Sequence, residues 1–204
     1  MKLLFISITN HCNRSCAYCP VKTWRNNPNF PDSLTLEKCI KAIEFLNPTH
    51  IEITGGEPTS VQWLDNLLDY LESKGIIYLV KSNGLKRCRN QITAWHDEIP
   101  VYYDKMLIIK NTPEWREKEH YCKEHGIPYG IIGFNNLCEE CRASNVPAFF
   151  MCPDGHIKQC HEMESDSLRH VDHIGTDLER PPVWKAVCAS CKAVNDYLIF
   201  LENN

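Results

Sequence analysis

The chain has 204 residues, of which 43% are hydrophobic and 24% are charged, and its formal net charge is −4. This length accommodates one domain, or one domain with a small appendage, around a sizeable core. The charge balance argues against a nucleic-acid partner or an anionic membrane, but it leaves a nucleotide-like substrate open.

The N-terminus carries no evident targeting signal. Its apolar run is short, no small-residue cleavage site follows it, and no run in the chain approaches the roughly 18 apolar residues that span a bilayer. We therefore expect a cytoplasmic protein with no membrane partner. In that reducing compartment the 12 cysteines favour metal binding over disulfides.

The first predicted strand, Leu3 to Ile8, leads directly into a CxxxCxxC loop formed by Cys12, Cys16 and Cys19. Three thiols can ligate three irons of a cubane cluster and leave the fourth iron open for chemistry. The alternative is half of a zinc site, but no fourth ligand lies nearby in the sequence. The loop follows a strand, and α/β folds place their chemistry at the carboxyl ends of strands.

This spacing, with the aromatic Tyr18 before the third cysteine, resembles the motif of the radical S-adenosylmethionine (radical SAM) superfamily. The resemblance implies that Cys12, Cys16 and Cys19 hold a 4Fe–4S cluster and that SAM binds its open iron, with Tyr18 near the cofactor. It further implies reductive cleavage of SAM to a 5′-deoxyadenosyl radical, which abstracts hydrogen from a substrate. A reductant protein such as flavodoxin or ferredoxin would supply the electron.

A predicted helix from Thr35 to about Leu46 precedes the second strand, Ile51 to Thr54. The strand ends in Gly55-Gly56-Glu57-Pro58, where two glycines allow close approach of a ligand and the carboxylate can accept a hydrogen bond from an amine. A simple turn is the alternative for such a sequence. The segment resembles the GGEP element of the superfamily, which implies that Gly55, Gly56, Glu57 and Pro58 bind the methionine amino group.

Thr59 or Ser60 is predicted to cap a helix to about Lys74, and the third strand, Ile76 to Val80, ends near Ser82-Asn83-Gly84. Ser82 and Asn83 resemble the superfamily's contact to the cofactor ribose or carboxylate. A tight turn that requires Asn-Gly is the equal alternative.

The next elements are a weak helix over Asn90 to Asp97, a fourth strand over Met106 to Ile109, a helix over Pro113 to His125 and a fifth strand over Pro128 to Phe134. Lys110, at the end of the fourth strand, is either solvated or close to the cofactor carboxylate. Ile131 lies in a glycine motif that resembles the one beside the adenine, although a plain buried strand has a similar sequence.

The alternation of strands and helices predicts an α/β fold with a parallel sheet. The resemblance implies a partial (β/α) barrel of about five to six units, with the sixth missing or replaced. We place a boundary near Asn135, which gives a barrel over 1–135 and a small cysteine-rich appendage over 136–204 that contains a β-hairpin.

The appendage contains two CxxC pairs, and Phe149 to Cys160 is predicted to form a hairpin turning at Pro153-Asp154-Gly155. The spacing is similar to the twitch module, a short form of the SPASM module, which holds an auxiliary 4Fe–4S cluster. The ligands implied by this resemblance are Cys141, Cys160, Cys188 and Cys191. The alternative is a zinc ribbon that uses Cys138, Cys141, Cys188 and Cys191.

The function that follows is a radical SAM oxidoreductase acting on a peptide, sugar or nucleotide-like substrate, with the auxiliary cluster accepting an electron. A redox-neutral epimerase or isomerase is one alternative, in which a thiol such as Cys152 returns hydrogen to the substrate. A glycyl-radical activase and a non-catalytic zinc or iron–sulfur module are the others. Cys39, Cys88 and Cys122 are expected to be structural, and Lys81 is compatible with an anionic group.

Overall fold

The structure is a computed structural model, which describes residues 1–16, 19, 22, 25–28, 32, 34–96, 98–109, 112–132, 143–158, 167–174 and 186–188. Its strands are β1 (Leu3–Ser7), β2 (His50–Thr54), β3 (Ile77–Ser82), β4 (Gln91–Trp95), β5 (Lys105–Ile109), β6 (Tyr129–Ile132), β7 (Ala143–Met151), β8 (His156–Lys158), β9 (Ser167–His170) and β10 (Ala186–Cys188). Its helices are α1 (Leu36–Leu46), α2 (Leu64–Ser73) and α3 (Trp115–Glu124).

The strands form one open sheet in the order β6-β5-β4-β3-β2-β1-β7-β8-β9, with β10 paired to β7. Every pairing from β6 to β7 is parallel, whereas β8, β9 and β10 pair antiparallel to their neighbours. The predicted α/β fold with an unclosed, mostly parallel sheet is therefore confirmed. Because the carboxyl ends of parallel strands meet at one edge, the segments that follow β1, β2, β3 and β7 are brought together.

The main core lies between the sheet and helices α1 and α2. Alternate residues of the strands point toward the helices, as the two-residue period of a strand requires. The fully buried members of this core include Leu4, Ile6, Ile43, Leu46, Ile51, Ile53, Leu67, Leu68, Leu71 and Phe149. A second cluster joins α3 to β4 and β5 and contains Trp95, Met106, Ile108 and Cys122.

Strand β7, the next strand after β6 in the chain, does not pair with β6. β7 pairs with β1 on the side opposite β2, with Leu4 beside Phe149 and Ile6 beside Met151. The rings of Phe5 and Phe150 stack at 4.7 Å between centroids. The predicted hairpin is present, since Met151 of β7 pairs antiparallel with Ile157 of β8. The predicted boundary near Asn135 falls outside the described residues and stays a prediction.

The prediction of a helix over Asn90 to Asp97 is wrong, because this segment contains strand β4. The side chains of Gln91 and Thr93 both hydrogen bond to the carbonyl oxygen of Tyr102, at 3.0 Å each. These tertiary contacts, together with pairing to β3 and β5, override a weak local preference. In the described part of the chain, β3, β4 and β5 thus follow one another without an intervening helix.

The start of α2 also differs from the prediction. Residues Pro58–Ser60 form a short 3-10 turn capped by Glu57, and α2 begins only at Leu64, after Trp63. Thr59 and Ser60 therefore do not cap α2. The predicted cap of α1 is confirmed, because the Thr35 side chain accepts a hydrogen bond from the Lys38 backbone N–H. Within the described residues, no helix combines the length and the apolar character needed to cross a membrane.

Candidate functional site

The loop that carries the cysteines is tied to the carboxyl end of β1 by the next stretch of chain. The carboxylate of Asp32 accepts hydrogen bonds from the Thr9 hydroxyl and, at 2.6 Å, from the Asn10 backbone N–H. The Asn26 side chain accepts from the Cys12 N–H and donates to the Cys12 carbonyl oxygen, both at 3.1 Å. The side-chain amide of Asn26 thus binds both the backbone N–H and the backbone carbonyl group of the first cysteine.

The Gly55-Gly56 pair packs directly against this loop. The Gly56 N–H donates to the Thr9 carbonyl oxygen at 2.7 Å, and the Glu57 N–H donates to the His11 carbonyl oxygen at 2.8 Å. A Cβ atom on Gly56 would lie 2.0 Å from the His11 oxygen, and one on Gly55 would lie 2.4 Å from the Thr9 oxygen. Only glycine allows such an approach between two backbone segments.

The carboxylate of Glu57 is fully buried and accepts four hydrogen bonds from the protein. Its Oε1 accepts from the Thr59 N–H at 3.0 Å, the Thr59 hydroxyl at 2.6 Å and the Ser82 hydroxyl at 2.9 Å. Its Oε2 accepts from the Asn83 N–H at 2.7 Å. In this structure the carboxylate joins the ends of β2 and β3, and its predicted role as an acceptor for the cofactor amine stays a prediction.

The turn after β3 is connected to the cysteine loop as well. The Asn83 side-chain amide donates to the Asn13 side-chain oxygen at 2.8 Å, and Gly84 has a φ of +75°. A Cβ on Gly84 would lie 2.6 Å from the Cβ of Pro100. The tight turn that requires Asn-Gly is therefore present, and the same turn places Ser82 and Asn83 beside the GGEP segment.

The three motif cysteines are reduced thiols at this edge of the sheet. Cys16 is buried, and Cys12 and Cys19 are half-buried. Among the described residues, no three His, Cys, Asp or Glu side chains are gathered closely enough to hold a metal ion. The donor set itself, three thiols in a loop that packs on two glycines, suits an iron–sulfur cluster, since thiolates are the usual ligands of such clusters.

A cleft opens beside the two glycines. It is lined by Ser7, Thr9, Asn10, Arg25, Gly55, Gly56 and Pro153. Pro153 belongs to the turn between β7 and β8, and Cys152 directly precedes it. Burial, followed by the nearby Asp154 carboxylate, raises the pKa of Cys152 to about 11. The Cys152 thiol is therefore protonated at neutral pH.

The structure also gives the surroundings of three further residues that the sequence singled out. Lys81 forms an ion pair of 2.8 Å with the buried Glu52, so a protein carboxylate already balances its charge. Ile131 packs against the apolar cluster around α3. Cys188 lies in β10 opposite Ala143. The predictions for Tyr18, Lys110, Cys138, Cys141, Cys160 and Cys191 lie outside the described residues.

Cys39 and Cys122 are completely buried in apolar clusters, in agreement with the structural roles predicted for them. Sequence reasoning missed Asn13, Arg25, Asn26 and Asp32 as parts of the site. The only signal was that Asn26 to Asp32 form an Asn- and Pro-rich connection. Asn26 has a φ of +55°, a conformation that asparagine adopts more readily than most residues.

Comparison with known families agrees with this geometry. A sequence profile of the Radical SAM superfamily matches residues 6–144, which include the cysteine loop, the GGEP segment and strands β2 to β6. The chain belongs to the radical SAM superfamily. Membership implies a 4Fe–4S cluster and SAM, and it supports SAM cleavage chemistry in an enzyme.

Two curated relatives are similar to this chain over part of its length. The 7-carboxy-7-deazaguanine synthase of Haemophilus influenzae is 35% identical over 147 residues, which are 72% of this chain and 58% of that protein. An uncharacterised protein of Methanocaldococcus jannaschii is 32% identical over 153 residues, 64% of this chain and 52% of that protein. The chain thus spans little more than half the length of these relatives.

Solved radical SAM structures share the fold at low sequence identity. SuiB of Streptococcus suis bound to S-adenosylmethionine gives a TM-score of 0.62 at 12% identity, covering 86% of this chain and 64% of SuiB. SuiB bound to its precursor peptide SuiA gives a TM-score of 0.60 with the same identity and coverage. BtrN in complex with AdoMet and 2-DOIA gives 0.52 at 13% identity, covering 84% of this chain and 78% of BtrN.

Proposed function

We propose that this radical SAM chain cleaves SAM reductively and directs the resulting 5′-deoxyadenosyl radical to a C–H bond of a peptide, sugar or nucleotide-like substrate. The observation that carries the proposal is the superfamily match over residues 6–144. The packing of Gly55 and Gly56 against Thr9 and His11, at the start of the cysteine loop, supports it, because both glycines also line the cleft.

In this proposal Cys12, Cys16 and Cys19 hold the cluster, and Gly55, Gly56, Glu57 and Pro58 form the wall that faces SAM. Bound together, the cluster and SAM supply the radical, a reagent that no side chain can provide. The Glu57 carboxylate also fixes the backbone around this wall, because it accepts hydrogen bonds from Thr59, Ser82 and Asn83. Tyr18, Lys110 and Ile131 remain proposed contacts of the cofactor.

We also propose that the reaction is an oxidation and that a second 4Fe–4S cluster, held by Cys141, Cys160, Cys188 and Cys191, takes up the second electron. Four protein ligands leave such a cluster without an open iron, which suits electron transfer. The range of substrates is supported by the relatives: one solved neighbour is bound to a precursor peptide, and one curated relative is a deazaguanine synthase. A flavodoxin or ferredoxin is the proposed reductant.

The test is anaerobic reconstitution followed by iron, sulfide and zinc analysis and by chromatography of 5′-deoxyadenosine after dithionite is added. Two clusters predict about eight irons per chain, and SAM cleavage is expected to disappear in Cys16→Ala. Cys88→Ser is the matched control, because Cys88 is half-buried outside the motif and its thiol contacts Gln91. Zinc without SAM cleavage in the wild type would refute the proposal.

The auxiliary cluster has its own test. Cys160→Ala is expected to lower the iron content to about four per chain while SAM cleavage by the first cluster continues. An unchanged iron content would refute the proposed ligand set. Loss of all of the roughly eight irons, together with all SAM cleavage, would refute the independence of the two clusters.

A redox-neutral epimerisation or isomerisation is the second candidate. The observation that favours it is the position of Cys152, a protonated thiol next to Pro153 in the cleft wall. In deuterium oxide this mechanism would place solvent deuterium on the product carbon, whereas an oxidation would not. Loss of that deuterium in Cys152→Ala, with SAM cleavage retained, would identify the thiol as the hydrogen donor.

A further inference from the structure

Arg25 is the one ionisable side chain among the seven residues that line the cleft beside Gly55 and Gly56. It is half-buried, and within the described residues it makes no hydrogen bond or ion pair. The other lining residues are neutral. The cleft therefore presents a positive charge that no described residue balances.

A carboxylate in the same segment of the chain, that of Asp32, already has other partners. Asp32 binds Thr9 and Asn10 through both carboxylate oxygens. It forms no ion pair with Arg25, although both residues belong to the segment that follows the cysteine loop. Withdrawing a guanidinium from water without a partner is unfavourable, and an anion that enters the cleft removes that penalty.

The position of Arg25 is set by its neighbour. Asn26 donates its backbone N–H to the Asn10 carbonyl oxygen at 3.1 Å, and its side chain holds Cys12 from both sides. The backbone after Arg25 is thus fixed relative to the first cysteine and to the end of β1. A change in the cysteine loop and a change at Arg25 act on the same part of the cleft.

We propose that Arg25 binds a carboxylate group in this cleft. A guanidinium offers two parallel N–H donors that match the two oxygens of a carboxylate. Ser7, whose hydroxyl group can donate a further hydrogen bond, is another lining residue. The inference rests on the proposed function, because the ligand enters the cleft that the cluster loop borders. The carboxylate belongs either to SAM or to the substrate.

Two measurements on the reconstituted protein distinguish these sources. Calorimetric titration compares SAM with decarboxylated SAM in wild type, Arg25→Gln and Arg25→Lys. If Arg25 binds the SAM carboxylate, Arg25→Gln lowers the affinity for SAM at least tenfold and leaves the affinity for decarboxylated SAM unchanged. The affinity of Arg25→Lys for SAM then lies between those of the wild type and Arg25→Gln. The control is Arg87→Gln, because Arg87 forms an exposed surface ion pair with Asp104.

The second measurement uses trifluoroacetate as a carboxylate probe, followed by fluorine NMR line broadening with SAM already bound. If the substrate's carboxylate is the ligand, wild type and Arg87→Gln broaden the probe signal and Arg25→Gln does not. The proposal is overturned if Arg25→Gln matches Arg87→Gln in both measurements. A wild type that lacks iron and SAM cleavage refutes the proposed function instead, and trifluoroacetate broadening measured without SAM still reports on Arg25.

Discussion

The buried carboxylate of Glu57 accepts a hydrogen bond of 2.7 Å from the backbone N–H of Asn83, which joins the end of β2 to the turn after β3. The other oxygen of Glu57 accepts three more bonds, and the Asn83 side chain contacts Asn13 in the cysteine loop. The carboxylate thereby joins the ends of β2 and β3, and the Asn83 side chain extends the connection to the loop after β1.

Replacing Glu57 with Gln tests this arrangement. The amide nitrogen of glutamine is a donor, so at least one buried N–H or hydroxyl of the four partners loses its acceptor. We expect the free energy of unfolding of the apo-protein to fall by about 2–3 kcal/mol, because hydrogen bonds to a charged acceptor are strong and a buried unsatisfied donor is costly.

Urea unfolding followed by circular dichroism measures this loss, with Glu98→Gln as the control because Glu98 is exposed. Equal unfolding free energies for the two variants would show that the Glu57 carboxylate does not support the fold. That result is expected if the main role of the carboxylate is to bind a ligand.

The two glycines before Glu57 give a second prediction. In Gly56→Ala the added methyl group would lie 2.0 Å from the His11 oxygen and 2.8 Å from the Asn10 oxygen, both of them backbone atoms. The cysteine loop must move, at a cost of at least about 3 kcal/mol, and reconstituted iron is expected to decrease with it.

Gly75→Ala is the matched control, since Gly75 has a φ of +65° and open space around its Cα. Only backbone strain opposes that substitution, which amounts to about 1–2 kcal/mol. Thermal unfolding of both variants measures the loss of stability, and iron analysis measures how much cluster each variant holds. Normal iron content in Gly56→Ala would contradict the close packing of the loop on this residue.

The sequence predicted the parts of this site that repeat a local pattern. Strand β1 with its cysteine loop, α1 with the Thr35 cap and strand β2 before Gly55-Gly56 were all anticipated, because apolar periodicity and capping depend on neighbouring residues. Strand β4 was missed, since the bonds from Gln91 and Thr93 to the Tyr102 oxygen come from tertiary structure.

The return of β7 to β1 was also not anticipated. Nothing in Ala143–Met151 specifies which edge of the sheet this strand joins, although its hairpin with β8 was predicted from the local turn. The role of Asn26 was missed for a related reason. Its hydrogen bonds connect residues 14 positions apart, and a loop rich in Asn and Pro indicates irregular backbone without naming a partner.

A third prediction concerns Asn26 and the stability of the cluster. Asn26→Ala removes both side-chain bonds to Cys12, whereas Asn26→Asp keeps an acceptor for the Cys12 N–H and loses the donor to its carbonyl oxygen. We expect the reconstituted cluster to be lost to an iron chelator fastest in Asn26→Ala and at an intermediate rate in Asn26→Asp.

Asn90→Ala is the control for that series, because Asn90 is also exposed and has a similar φ of +51° but lies outside the cysteine loop. The decay of the cluster absorbance after the chelator is added gives the rate for each variant. If Asn26→Ala decays no faster than Asn90→Ala, the amide does not position Cys12 as a ligand.

A final prediction concerns the protonation of Cys152. Burial disfavours the thiolate and the Asp154 carboxylate adds to the effect, which raises the pKa of this thiol to about 11. At pH 8 the reactive thiolate is then about one thousandth of the total, against about a quarter for an unperturbed cysteine. Iodoacetamide should modify Cys152 slowly, with a rate that rises about tenfold per pH unit between pH 8 and 10.

Mass spectrometry of the Cys152 peptide measures this rate in the apo-protein, with Glu98→Cys as an exposed reference thiol whose rate should level off near its ordinary pKa. Asp154→Asn is expected to accelerate the reaction only modestly, because burial is the larger cause. A Cys152 rate that levels off near pH 8.5 would mean that the thiol ionises normally. In that case it would carry less of the S–H form that hydrogen return to a substrate radical requires.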